Sequence, residues 1–123
     1  MRIFTEDSFD GRVNFVDENN VVLGFETGQQ CCEDWGWFIA DKPITDHSFY
    51  RAGNYDGPNN LPGFVFDTKS IPETVEDDEL NYVIFRIANG KEEKFIHLYN
   101  IHNGYYAHGF EFSSDGKSIT GDL

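Results

Sequence analysis

The sequence predicts an all-β domain: an antiparallel sandwich or open barrel of about seven or eight strands, with at most one short helix. Three observations carry this expectation. Short runs rich in Val, Ile, Phe and Tyr alternate apolar with polar residues, the period that gives a strand one inward face. Asn-Gly, Asp-Gly and Pro-Gly pairs recur among 12 glycines, so the chain reverses often. Aromatic residues make up 16 %, and 12 are Phe, which is enough buried ring area to build a core from a chain only 39 % apolar. A length of 123 residues suits a single domain, 1–123, around one core.

The elements follow in order. Val13, Phe15 and Asp17 alternate with Arg12, Asn14 and Val16. Glu18-Asn19-Asn20 is turn chemistry, and Val21 to Glu26 resumes an extended run, so residues 13–26 read as a hairpin. Gly24 within its second strand marks a bulge or a close backbone approach. Residues 28–38 read as a loop, with a short helical turn around Cys31 to Trp35 as the alternative, entering a strand over Trp37 to Ala40. Residues 51–63 are a long irregular loop by their Gly, Asn and Pro content, and Phe64 to Phe66 is a short strand.

Ser70-Ile71-Pro72-Glu73 has the spacing of a helix capping box. A helix over 71–79 would bury only Ile71, Val75 and Leu80. It would also set Glu76-Asp77-Asp78-Glu79 at its C-terminal end, against the helix dipole. Weak turns or a loop are expected there. From Asn81 the pattern is a meander, with strands over 81–88, 91–101 and 105–113 joined at Asn89-Gly90 and Asn103-Gly104, then Asp115-Gly116 and a short Lys117 to Thr120 segment.

Two-residue turns at both Asn-Gly pairs would set Arg86 opposite Glu93, Ile84 opposite Phe95 and Tyr82 opposite His97. They would also set Tyr99 opposite His108, His97 opposite Phe110 and Phe95 opposite Phe112. One face then gathers Tyr82, Ile84, Phe95, His97, Tyr99, His108, Phe110 and Phe112; the other gathers Val83, Phe85, Ile87, Ile96, Leu98 and Ala107. Both faces are apolar and need cover, which favours a sandwich or flattened barrel. The set depends on register, because a slip of one residue would exchange the faces.

Charge narrows the function classes. With 22 acidic and 9 basic residues the net charge is −13, which repels phosphate backbones and anionic lipid. Direct nucleic-acid binding and a membrane partner are therefore not expected; a basic protein partner or a small ligand is compatible. The start of the sequence is polar within a few residues, and no apolar run reaches the length of a membrane span. Adjacent Cys31 and Cys32 make no disulfide framework. The expectation is a cytoplasmic protein with reduced thiols.

Three chemistries are compatible with the residues. A zinc site would use His97 and His108 with Cys31, or with Cys32 or Glu33, though the spacing matches no zinc pattern and no cofactor is expected. Nucleophilic catalysis would pair Cys31 or Cys32 with a histidine base, His102 or His108. A ligand groove would draw rings from Trp35, Trp37, Tyr50, Tyr55, Tyr99, Tyr105 and Tyr106, with Asp56, Asn59 and Asn60 adding polar contacts, a combination suited to sugars or peptides. Against each stands the plainer role: histidines bonded within an aromatic layer, thiols buried as small apolar groups, rings filling a core.

Two segments resemble a family. Gln30-Cys31-Cys32-Glu33 with Trp35-Gly36-Trp37, and Leu98-Tyr99-Asn100-Ile101-His102-Asn103-Gly104-Tyr105-Tyr106-Ala107-His108-Gly109-Phe110, are similar to segments of small uncharacterised proteins of bacteria and their phages. The resemblance implies a bacterial or phage setting and marks Cys31, Cys32, His102 and His108 for inspection. With the charge, it favours a small acidic non-enzymatic binding protein; the alternative is a thiol- or metal-dependent enzyme using Cys31 or Cys32 with His97 or His108.

Overall fold

A computed structural model describes residues 1–5, 11–28, 34–46, 50, 57–70, 72–77, 79–101 and 107–123. Ten strands lie among them: β1 (Arg2–Phe4), β2 (Arg12–Val16), β3 (Val22–Glu26), β4 (Asp34–Ala40), β5 (Val65–Phe66), β6 (Val75–Asp77), β7 (Leu80–Ala88), β8 (Glu93–Ile101), β9 (Gly109–Ser114) and β10 (Lys117–Asp122). They form two antiparallel sheets. The first runs β1-β2-β3-β9-β10; the second runs β4-β8-β7-β5, with β6 also pairing β7. Val13, Phe15, Leu23, Phe25, Phe110 and Phe112 of the first sheet meet Val83, Phe85, Ile87, Ile96 and Leu98 of the second in one buried cluster. The fold is thus an all-β sandwich, as the alternation of apolar residues requires.

Each of the eight segments read as strands from the sequence holds a strand among its described residues, the expected 105–113 strand starting at Gly109, and the short β1 and β6 are additional. β6 replaces the turns or loop expected over 71–79. Its Val75 pairs with Tyr82 and its Asp77 with Leu80, because a tight reversal onto the apolar β7 gives the acidic run a ladder that a helix with three apolar residues cannot match. No described helix is long and apolar enough to cross a membrane.

The first hairpin forms as expected, closing at Val16 opposite Val22. Gly24 is a close approach made by a side chain: a Cβ there would fall inside the Arg12 guanidinium. At the last hairpin Asp115 (φ 51°) and Gly116 (φ 76°) both take the left-handed conformation, and Lys117 pairs with Ser114. That is the two-residue turn whose twist matches its strands.

One expected turn and one expected strand pairing differ, and the Asn103-Gly104 pair itself lies outside the described residues. At Asn89-Gly90 the reversal spans four residues, with Ala88 opposite Glu93. The Asn89 Oδ1 accepts from the N–H groups of Lys91 (3.0 Å) and Glu92 (2.8 Å), so the side chain builds a wider turn than the pair alone implies. The register moves by two residues, placing Ile84 opposite His97 and Tyr82 opposite Tyr99. An even slip keeps every β7 and β8 side chain on its expected face, whereas Phe110 and Phe112, expected on the face of His97, join the inner cluster with Val83 and Phe85. Arg86 still bonds Glu93, diagonally, at 2.8 Å.

The second difference is topological. β8 pairs with β4 and β7, while β9 pairs with β3 and β10, so the three-stranded meander does not form. Both edges of β8 are occupied, and the chain leaves the second sheet after Ile101 to enter the first at Gly109. There Phe112 and Phe110 pair with Leu23 and Phe25 and complete the inner face.

The expectation that both faces need cover holds for the second sheet. Its outer face carries Phe38, Leu80, Tyr82, Tyr99 and Ile101, sealed by Tyr50 and by Ile44 of the irregular segment 41–46.

Candidate functional site

His97 sits mid-strand on β8, fully buried on the outer face of the second sheet. Its Nε2 accepts the Ile44 N–H at 3.0 Å, which fixes the proton on Nδ1, and Nδ1–H donates to the Phe95 carbonyl at 3.0 Å. The ring stacks on Phe38 with centroids 4.3 Å apart and planes 10° from parallel. Burial pushes its pKa down to about 4, so the imidazole is neutral at ordinary pH. Both nitrogens are committed, and neither is offered to a metal or a nucleophile.

His108 precedes β9 and is also buried, 1 % exposed. Its backbone N–H and carbonyl pair with Leu123 at 2.9 Å each, and its Nδ1–H donates to the Glu26 carbonyl at 2.9 Å. Its ring stacks on Trp35, 5.0 Å between centroids. Trp35 packs against the core between the sheets, whereas Phe38, three residues along the same strand, belongs to the outer layer with His97. The two imidazoles therefore lie on opposite sides of the second sheet. The shared His97–His108 site expected from the meander does not assemble, because that geometry required β8 and β9 to be neighbours. Among the described residues no group of three or more His, Cys, Asp or Glu side chains is arranged to hold a metal ion.

The expected ligand-binding rings are placed differently from one another. Trp37 is half-buried, with its ring edge-on to Phe15 at 5.0 Å. Trp35 is half-buried against His108 and Phe25. Tyr99 is 2 % exposed within the outer aromatic layer, and burial, then the nearby Asp34 carboxylate, push its phenol up to about 12. Its hydroxyl fills the space over Gly36, where a Cβ would lie 2.7 Å from Oη. Gly36→Ala is therefore expected to cost about 1–3 kcal/mol by overpacking, read as a lower thermal midpoint. Cys31, Cys32, Glu33, Tyr55, Asp56, His102, Tyr105 and Tyr106 lie outside the described residues.

An open groove of about 980 Å³ lies elsewhere, on the outer face of the first sheet. Cross-strand pairing builds its floor: Arg2 beside Val16 beside Val22, and Phe4 beside Asn14 beside Gly24. Its wall is the segment 58–60, held to β1 by the Ile3 N–H bonding the Asn59 carbonyl at 2.9 Å and by a bridge between Arg2 and Asn60. Phe4 is 47 % exposed, and the Arg2 guanidinium stands 5.6 Å from its ring centroid. Asn14, Asn59, Asn60 and Thr5 supply amide and hydroxyl groups around this apolar floor.

Asn59 and Asn60 line this groove beside Phe4, and not beside the Trp and Tyr rings with which the sequence reading grouped them. Sequence reasoning missed Phe4, Arg2 and Asn14. The alternation Arg2-Ile3-Phe4 was the available signal, too short to mark a strand.

A smaller hollow of about 210 Å³ lies among Arg12, Glu26, Glu111 and Asp122 around Gly109 and Gly121.

Comparison with protein-family models, with curated proteins and with solved structures finds no match to this chain.

Proposed function

We propose that this chain is a small acidic, non-enzymatic binding protein that takes a small ligand or a short protein segment in the groove of β1, β2 and β3. The bacterial or phage and cytoplasmic setting implied by its sequence belongs to the same reading. The observation that supports it most is Phe4, a large ring left half-exposed on an edge strand, beside a guanidinium and a set of amides. A ring that contributes little to the core, with polar groups fixed around it by backbone pairing, is the arrangement that binds a partly apolar ligand.

Charge divides the surface. The chain carries a net charge of −13, yet the described lining of the groove holds one cation and no carboxylate. A basic protein partner would be drawn to the surrounding surface; a neutral or anionic group suits the groove.

Titration followed by heteronuclear NMR tests the reading with three probes: neutral oligosaccharides, short apolar peptides and a lysine-rich peptide. At least one class is expected to give saturable shifts at Phe4, Asn14 and Val22. Phe4→Ala is expected to weaken that binding by about tenfold or more. The same substitution is expected to leave stability within about 1 kcal/mol, because half of the ring is already in water. Absence of any response at the groove to all three classes overturns the proposal.

A further inference from the structure

Segment 41–46 crosses the outer face of the second sheet without joining a ladder. It grips the sheet through Ile44, whose N–H donates to His97 Nε2 at 3.0 Å and whose carbonyl accepts the Tyr50 hydroxyl at 2.7 Å. At its start Lys94 Nζ bonds Asp41 at 2.8 Å. The rest of the segment faces solvent, while beneath it lie the rings of Phe38, Tyr50, Tyr82 and Tyr99.

We propose that 41–46 is an acid-released strap and His97 its latch: a proton on Nε2 sets two N–H groups against each other at Ile44, frees the strap and opens the aromatic face beneath.

The geometry gives a protonated ring no accommodation. Nδ1–H already donates to the Phe95 carbonyl, and a ring flip would only exchange which nitrogen confronts the Ile44 N–H. A buried imidazolium with one donor unmet and its charge desolvated favours the open strap. The rings facing His97 are Phe38 and Tyr50, with Tyr82 and Tyr99 packed around Tyr50. Burial raises the phenols of Tyr50 and Tyr99, so neither takes part in an acid response.

On β7, Ile84 stands opposite His97, and Arg86 along the same face is held by Glu93 and Asp67. Asp41, Lys42 and Asp46 are the charged groups of the strap. The Lys94 hydrogen bond keeps Asp41 below its ordinary pKa, so that carboxylate remains ionised while His97 responds.

The sign follows from linkage. Burial lowers His97 to about 4 in the closed state; release returns the ring to water and so toward the ordinary imidazole value of about 6.5. The closed strap is fully favoured above the released value, loses ground as pH falls between the two, and changes no further below the lower one. The gap corresponds to a fall of roughly 300-fold in the closed-to-open ratio.

Amide hydrogen exchange of the wild-type protein between pH 7 and pH 4 tests the latch, with protection corrected for the intrinsic rate. Protection of the Ile44 amide is expected to fall by up to roughly 150-fold by pH 4 while the Ile96 and Leu98 amides of β8 keep theirs. His97→Gln, whose side-chain carbonyl accepts the Ile44 N–H at every pH, is expected to flatten the response. Asp41→Asn is expected to leave its midpoint in place. Constant Ile44 protection in the wild type, loss in step with Ile96 and Leu98, or a midpoint that moves with Asp41→Asn overturns the proposal. Should His97→Gln fail to fold, the wild-type His97 ring decides: Ile44 protection must fall above the ring's own titration and level off once the ring is protonated, and a fall that continues below that point overturns the latch.

Discussion

Replacing Asp17 with alanine is expected to lower the unfolding free energy by about 4 kcal/mol. Asp17 is 4 % exposed and sits where β2 ends. Its Oδ1 accepts from the N–H groups of Asn19 (2.9 Å) and Val21 (3.0 Å), and its Oδ2 accepts from the N–H of Phe66 at 2.9 Å. The first two bonds shape the reversal into β3. The third crosses to β5 in the other sheet, so one carboxylate closes a hairpin and ties the two layers together.

Alanine leaves the N–H groups of Val21 and Phe66, both on buried residues, without their acceptor, each worth about 1–3 kcal/mol when stranded, while that of Asn19 can turn to water. Asp17→Asn keeps Oδ1 but points an amide N–H at the Phe66 N–H, and roughly half the loss is expected. Urea unfolding of the three proteins measures this through the midpoint at constant slope. Equal and small losses for Ala and Asn, below about 1 kcal/mol, would show that water replaces the carboxylate.

Phe15→Ala is expected to cost about 3–5 kcal/mol and to drop the melting temperature by roughly 15 °C. Phe15 is fully buried on β2 and meets Trp37 of the opposite sheet edge-on at 5.0 Å. Its removal leaves a cavity between two sheets whose spacing is set by the surrounding rings, so neither can collapse to fill it. Thermal unfolding by circular dichroism measures the shift. Phe4→Ala in the same assay is the internal contrast, one ring deleted from the core and one from the groove. Comparable losses for the two would falsify the assignment of Phe4 to a binding surface.

How far the sequence speaks is seen in particular turns. Asp115-Gly116 was legible because both residues tolerate positive φ, and the pairing that follows is local. The faces of β7 and β8 were legible because apolar parity survives an even change of register, even though the Asn89 side chain widened the turn. Asn103-Gly104 misled because a turn pair says that a chain reverses, not which sheet receives it. That choice rested with Leu23 and Phe25, far upstream on β3, which needed Phe112 and Phe110 beside them. The histidine pair was lost with it. The groove was half legible: Asn59 and Asn60 stood out as turn residues with free amides, whereas the Arg2–Phe4 strand that faces them is too short to show a period.

The pairing of β3 with β9 also governs how the molecule is made. A ribosome releases β1, β2 and β3 early, yet the open edge of β3 meets its neighbour only when residues 110–113 have emerged. During translation that edge waits unpaired while the second sheet is still being threaded out. Closing so long a loop is slow, and an exposed strand edge is the usual seed of association between nascent chains. The first sheet is therefore expected to close only after β9 has emerged, and yield on overexpression should improve when synthesis is slowed by cooling.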